Sequence, residues 1–314
     1  MTLPTVLVAS WRDGLIAITG ATSTQELKGQ PVRSLASDGE GGALAVVDGR
    51  TLCQRSADGA WRTIAVSEFE LSCSVTASGK IYVGTDDAEI LRLGANGNLE
   101  RLPGFAEVPG RDTWYAGTAL IDGKVVGPPL GIRSMTATCN GAALLANVHV
   151  GGIPRSTDGG ATWHPTINIE EDVHEVRAHD TRPDVVIAAA ATGLCISRDG
   201  GKTWSVERDG LHAPHCSAVA FAGDDVFVAA SEDPFSAQGG VYRRPLDGPG
   251  PLLPVGGGLP RWFEGAVDTT CIATHASTVA LADGGGNLYI SADAGRTWSR
   301  LAERLSGVSS ILIV

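Results

Sequence analysis

Two arginines and a group of histidines occupy positions that we expect to converge on one face of the folded chain. The arginines are Arg33 and Arg133, and His212 is predicted to lie near them. A guanidinium group presents a planar fork of donors that matches carboxylates and phosphates. These residues therefore predict a binding site for a small anionic ligand.

The same face is predicted to carry residues that bind transition metals. They are His149, His174, His215 and Cys216. Imidazole and thiolate groups suit zinc, copper or iron, so a metal ion is one prediction for this site. The alternative is that the histidines are ordinary surface or capped side chains, because no local spacing forces them together. The sequence leaves open whether a cofactor is bound.

Acid–base chemistry and ring stacking are further predictions for this face. His174 and Asp268 are candidate catalytic residues, since both side chain types transfer protons; Asp268 is equally interpreted as a turn or cap residue. Trp114, Tyr115 and Trp262 are candidate ligand-stacking residues. Their alternative role is to cover the hydrophobic core.

Three copies of one motif indicate how these residues are positioned. Residues 156–163, 197–204 and 291–298 all fit S-x-D-x-G-x-T-W. In such a segment the Asp can bond turn amides, Gly adopts a left-handed conformation and Trp packs beneath the turn. The motif resembles the Asp box of the BNR repeat family, and that resemblance implies a structural role. A calcium loop is the alternative, but too few acidic ligands are present.

Motif spacing predicts an all-β fold, a single seven-bladed β-propeller with four-stranded blades covering residues 1–314. The first two boxes begin 41 residues apart, and each follows two short apolar runs typical of strands. Seven inner strands are predicted, at residues 32–37, 71–78, 132–139, 172–179, 215–221, 268–275 and 308–314. The chain starts with strands that lack an inner strand, so residues 308–314 are predicted to complete the first blade and close the ring. Residues 105–131 are predicted to form an insertion loop, and long loops are often functional.

Composition excludes several classes of partner. The net charge of −11 disfavours nucleic acid, whose binding needs Lys and Arg to neutralise phosphates, and disfavours anionic membranes. Neither a signal peptide nor a membrane-spanning apolar run is evident, so the sequence predicts a cytoplasmic protein. Its six cysteines are then expected to be reduced thiols.

The resemblance marks a fold and leaves several functions open. Asp boxes occur in sialidases and other glycoside hydrolases, in photosystem assembly factors and in sorting receptors. The sialidase Tyr/Phe-Arg-Ile-Pro motif is missing, although Asp268 with Glu170, Glu171 or Asp172 could supply the two carboxylates of another glycosidase. The leading prediction is a propeller that binds a small anionic ligand, and catalysis is left undecided. The alternatives are a sialidase-like glycoside hydrolase and a scaffold that binds a protein partner.

Overall fold

Short runs of β-branched and small apolar residues between Gly- and Asp-containing turns form the strands of this protein. The computed structural model describes residues 4–117, 119–121, 124–126 and 130–314. The first three blades use the strands β1 (Thr5–Ser10), β2 (Gly14–Thr19), β3 (Thr22–Glu26), β4 (Val32–Ser37), β5 (Ala43–Val47), β6 (Thr51–Arg55), β7 (Trp61–Val66), β8 (Leu71–Ala77), β9 (Lys80–Thr85), β10 (Ile90–Leu93) and β11 (Leu99–Arg101).

The segment after β11 leaves the ring before the fourth blade begins. It contains two 3₁₀ turns, Pro103–Phe105 and Arg111–Thr113, followed by a hairpin of β12 (Ala119–Ile121) and β13 (Lys124–Val126). Blades four and five are β14 (Ile132–Ala137), β15 (Leu144–Val148), β16 (Pro154–Ser156), β17 (His164–Pro165), β18 (Val173–Ala178), β19 (Val186–Ala190), β20 (Gly193–Ser197) and β21 (Ser205–Glu207). A third 3₁₀ turn, Ile169–Glu171, precedes β18.

The remaining strands build blades six and seven and complete blade one. They are β22 (His215–Ala222), β23 (Asp225–Ser231), β24 (Gln238–Pro245), β25 (Leu253–Pro254), β26 (Phe263–Glu264), β27 (Ile272–His275), β28 (Thr278–Ala282), β29 (Leu288–Ser291), β30 (Ser299–Ala302) and β31 (Val308–Ile313). Each blade is an antiparallel sheet of four strands, and β26 adds a fifth to blade six. The predicted seven-bladed β-propeller is confirmed.

Ring closure joins the two ends of the chain. Strand β31 pairs with β1, with Val8 opposite Ile311 and Val6 opposite Ile313. Ile311 and Ile313 are buried in an apolar cluster that also contains Ile272 of the seventh blade. The C-terminal strand therefore fixes the first blade to the last, and no inner edge of blade one is left unpaired.

The Asp boxes are self-contained turns between the third and fourth strands of their blades. Asp158 accepts hydrogen bonds from the Thr162 amide at 2.9 Å and the Thr162 hydroxyl at 2.6 Å. Trp163 is buried and donates its indole N–H to the Gly160 carbonyl at 3.0 Å. These bonds lower the pKa of Asp158 to about 2, the Thr162 hydroxyl contributing most. The carboxylate is used to hold its own turn, which supports the structural interpretation.

The insertion packs on one of these boxes. Phe105 is fully buried, with its ring centroid 5.1 Å from that of Trp163. Trp114 is also buried, and the Arg111 guanidinium lies 5.0 Å from its ring. Trp114 thus belongs to the core of the insertion. Residues 127–129 of the predicted insertion loop lie outside the described residues.

Two further observations concern the cysteines and the helices. All six cysteines belong to the described part of the chain and are free thiols, five of them buried. Among the described residues, no helix is both long and apolar enough to span a membrane.

Candidate functional site

A β-bulge at the start of six inner strands turns one side chain out of its blade. The pairing register skips one residue in β4, β8, β14, β18, β22 and β31. A bulge re-aims a side chain and is common beside functional sites. The skipped residues are Arg33, Ser72, Arg133, His174, Ser217 and Ser309.

Several of these positions face a cavity of about 680 Å³ at one mouth of the channel. Arg133, His174 and Ser217 come from three successive blades and line it together. The insertion supplies Tyr115 and Gly117. His149, Asp172, His215, Phe235, Asp268 and Asp283 are also part of the wall.

The bulge corrects the prediction for Cys216. Its side chain is fully buried among apolar residues of blades five and six, and burial raises the pKa of the thiol well above its usual range. The thiol is outside the cavity, whereas the Cys216 carbonyl oxygen lies 2.6 Å from Nδ1 of His174. The neighbouring Ser217 lines the cavity instead, because the extra residue of the bulge changes which side chain faces the channel.

Asp172 lies between two imidazoles at the base of the cavity. Its Oδ1 is 3.5 Å from Nε2 of His149, and its Oδ2 is 3.6 Å from Nε2 of His174. The carboxylate follows the 3₁₀ turn of residues 169–171 and has a left-handed backbone with φ of 45°. Of the described residues, His149, Asp172 and His174 form the group whose ligand atoms all lie within 4.8 Å of one another. His215 lies outside that group but close by, with its ring centroid 4.6 Å from that of His174.

Hydrogen bonds assign a tautomer to each imidazole. His174 Nδ1 must carry a proton, because its partner is a carbonyl oxygen, which only accepts. His149 Nδ1 accepts the Gly117 amide N–H at 3.2 Å, which places the proton of a neutral ring on Nε2. The two rings therefore differ at Nδ1, which donates in His174 and accepts in His149.

Burial keeps the flanking imidazoles neutral at neutral pH. It lowers the pKa of His149 to about 4, and the charge of Arg133 acts in the same direction. It also lowers the pKa of His215 to about 4, with His174 adding to the effect. Burial raises the pKa of Asp172, but the hydrogen bond and charge of His174 outweigh it, so the pKa lies below its usual value. Asp172 is accordingly an anion at neutral pH.

Arg133 is the cation of the cavity wall. Its guanidinium donates to the Thr269 hydroxyl at 3.2 Å and lies 3.8 Å from Asp268. The Asp268 side chain is 71 % exposed. The inner strand was predicted to begin at Asp268, but residues 268–271 form a turn and β27 begins at Ile272. The described residues leave most of the guanidinium donors of Arg133 for a ligand.

Four other predicted ligand-binding residues lie away from the cavity wall. Arg33 forms a bidentate ion pair with Asp86, at 2.6 and 2.7 Å. His212 bonds the Tyr242 hydroxyl at 2.7 Å, and Trp262 packs on His212 with Arg261 above its indole. Trp114 is buried in the insertion, as described above. Tyr115 does line the cavity and is half exposed.

Sequence reasoning underrated Asp172 and missed Phe235. The signal for Asp172 was its place two residues before His174, in the segment predicted as the inner strand of residues 172–179, since side chains two apart in a strand share a face. Phe235 lies between β23 and β24 and is 61 % exposed, but an isolated loop aromatic carries no pattern that would identify it.

Comparisons with known proteins agree with the fold. The BNR/Asp-box repeat model matches residues 155–165 and 196–206, two of the three boxes. A search of curated sequences finds no match. An ancestral GH74 enzyme superposes with a TM-score of 0.61 at 16% identity, covering 88% of this chain, which spans 39% of that enzyme. YCF48 bound to D1 peptide gives a TM-score of 0.56 at 15% identity, covering 96% of this chain and 84% of YCF48. RRP9 WD40 repeats give a TM-score of 0.60 at 12% identity, covering 90% of this chain and 83% of the RRP9 chain.

Proposed function

Because this chain is a seven-bladed β-propeller built on BNR/Asp-box repeats, a fold that serves many functions, we propose its function from the channel mouth: it binds a small anionic ligand beside Arg133. The observation that carries the proposal is the position of that guanidinium. Arg133 is turned into the cavity by a bulge, and its nearest carboxylate, Asp268, is 3.8 Å away and largely exposed. An incoming carboxylate or phosphate can displace Asp268 into solvent and accept two parallel hydrogen bonds from the guanidinium.

The neutral imidazoles favour a ligand with a single compact anionic group. His149, His215 and Ser217 offer polar groups without adding charge, whereas Asp172 repels a ligand that carries many negative charges. At the rim, Tyr115 and Phe235 are 50 % and 61 % exposed. A ligand with one anionic group and a flat apolar part matches both features.

Thermal stabilisation by a panel of anions tests the proposal. Acetate, malonate, phosphate and 4-bromobenzoate are compared at matched ionic strength. A ligand at about 100 times its Kd stabilises the native state by about 2.7 kcal/mol. Arg133→Gln is expected to abolish the shift. Arg33→Gln is the matched control, because Arg33 is another bulge arginine but is already paired with Asp86. Equal stabilisation of wild type and Arg133→Gln would contradict the proposal.

A protein partner is the second candidate, because the two exposed aromatics at the rim are also suited to a peptide. YCF48 bound to D1 peptide is a structural neighbour of this chain, although that similarity shows only the fold. Tyr115→Ala with Phe235→Ala distinguishes the candidates. The pair would abolish capture of a peptide partner while leaving the response to phosphate, which has no apolar part.

The glycoside hydrolase prediction has less support. Asp172 and Asp268 both line the cavity, but a low pKa makes Asp172 unsuitable as a general acid. The cytoplasmic location and the single-domain extent of residues 1–314 stay predictions.

A further inference from the structure

We propose that His149, Asp172 and His174 bind one divalent transition-metal ion, such as Zn²⁺, at the base of the cavity. This site goes beyond the anionic ligand proposed above and does not depend on Arg133. Its ligand set is two imidazoles and a carboxylate, which borderline metals such as zinc accept.

The spacing of the three side chains fits a metal better than it fits hydrogen bonds. An N–H···O hydrogen bond has its donor and acceptor about 2.9 Å apart. In a tetrahedral zinc site, bond lengths of about 2.0–2.2 Å place neighbouring ligand atoms about 3.4 Å apart. The two His–Asp separations are 3.5 and 3.6 Å, longer than good hydrogen bonds and close to that edge. The ligand atoms of His149 and His174 also lie within 4.8 Å of each other. Small side-chain rotations therefore bring all three ligand atoms to the spacing of a zinc site.

The ring of His174 is oriented as a metal ligand. Because Nδ1 of His174 donates to the Cys216 carbonyl, Nε2 is the ring nitrogen that faces Oδ2 of Asp172, 3.6 Å away. A metal ion between these two atoms would be bound by both. The carbonyl–imidazole bond is the usual outer contact of a metal-bound histidine, since it fixes the tautomer and the ring orientation.

Asp172 has a free coordination position. Its Oδ1 is buried without a hydrogen-bond partner among the described residues. Buried polar atoms of this kind are rare in native proteins and indicate an absent partner. Oδ1 points at His149 and Oδ2 at His174, so one carboxylate can ligate between the two rings.

His149 must change its tautomer to join the site. Its Nε2 carries the proton while Gly117 donates to Nδ1. Metal binding at Nε2 moves that proton to Nδ1, so the ring stays neutral with no net release of a proton, and the Gly117 amide turns away. Gly117 sits directly on this ring, since a Cβ there would lie 1.8 Å from Cε1 of His149. With three protein ligands, the fourth position faces the cavity, as in zinc sites that hold a water or a ligand.

Titration of metal-free protein with Zn²⁺ and Co²⁺ tests the site. Protein is stripped with EDTA, and isothermal titration calorimetry is run with Zn²⁺. We expect one high-affinity site per chain and a Co²⁺ absorption spectrum typical of tetrahedral coordination. Removing an outer partner of a metal ligand weakens binding about 10- to 100-fold, so loss of a ligand should weaken it at least 100-fold.

Asp172→Asn and His174→Gln are the ligand variants, and both approximate the size of the original side chain. His215→Gln is the matched control, because that histidine lines the same cavity outside the group and should retain wild-type affinity. His275→Gln reports on adventitious binding by an exposed histidine. Melting temperatures verify that each variant is folded.

Absence of a one-to-one site in the wild type would overturn the proposal without needing any variant. Equal affinity of Asp172→Asn and the wild type would also overturn it, as would loss of binding in His215→Gln alone. Arg133→Gln separates the two proposals: it should bind Zn²⁺ and fail to bind the anion, so either proposal can fail while the other stands.

Discussion

Replacing Ile311 by alanine should destabilise the ring at the junction of its two chain ends. Ile311 is 2 % exposed and lies on β31, where it pairs with Val8 of the first blade and packs against the seventh blade. A buried isoleucine truncated to alanine typically costs about 2–5 kcal/mol. This site should fall in that range because its neighbours on two blades are fixed by strand pairing and cannot collapse into the space.

The expected change in melting temperature follows from chain length. An unfolding entropy of about 2.1 cal/mol/K per residue corresponds to about 0.66 kcal/mol/K for the whole protein. The Ile311→Ala variant should therefore melt about 3–8 °C lower, as measured by scanning calorimetry. Leu253→Ala is the control, because Leu253 is 59 % exposed on an outer strand and surface changes usually stay within about 0.5 kcal/mol. Equal melting of both variants would refute the closure argument.

Three further predictions concern the Asp boxes and the cavity. Trp163→Ala should cost about 3–5 kcal/mol in urea unfolding, because the buried indole supports both its own turn and Phe105; a loss below 1 kcal/mol would contradict this packing role. Burial raises the pKa of Asp199, but hydrogen bonds from Thr203 and Ser197 outweigh it and hold the pKa at about 2. The stability Asp199 contributes is thus complete above the unfolded pKa of about 4 and is lost as pH falls towards 2, so Asp199→Asn should flatten the pH dependence of melting there. Arg133→Ala should leave the melt nearly unchanged while anion binding is lost, and strong destabilisation would show that Arg133 is structural.

The propeller could be predicted because its signals are local. Each Asp box encodes its turn within eight residues, and the apolar runs before the boxes mark the strands. The inner strand at β4 was predicted with both ends as observed, whereas β27 begins four residues later than predicted. Thr270 explains the difference: it has a left-handed φ of 61°, which an extended strand does not allow.

The wall of the cavity was only partly predictable, because bulges depend on pairing between strands. Ser217 is the skipped residue of its strand, one position away from the predicted Cys216. A shift of one residue exchanges the two faces of a strand, so a small register error moves a thiol from the core to the channel. Arg133 and His174 were predicted to lie on the ligand-binding face, and both are skipped residues that line the cavity.

A crystal soaked with 4-bromobenzoate tests the central claim directly, because the anomalous signal of bromine locates the ligand. The carboxylate is predicted to lie about 2.8 Å from the Arg133 guanidinium, with the bromine on the side of Tyr115 and Phe235. Bromine bound only outside the cavity, or Arg133 locked in a bidentate pair with Asp268, would contradict a ligand site at this mouth of the channel.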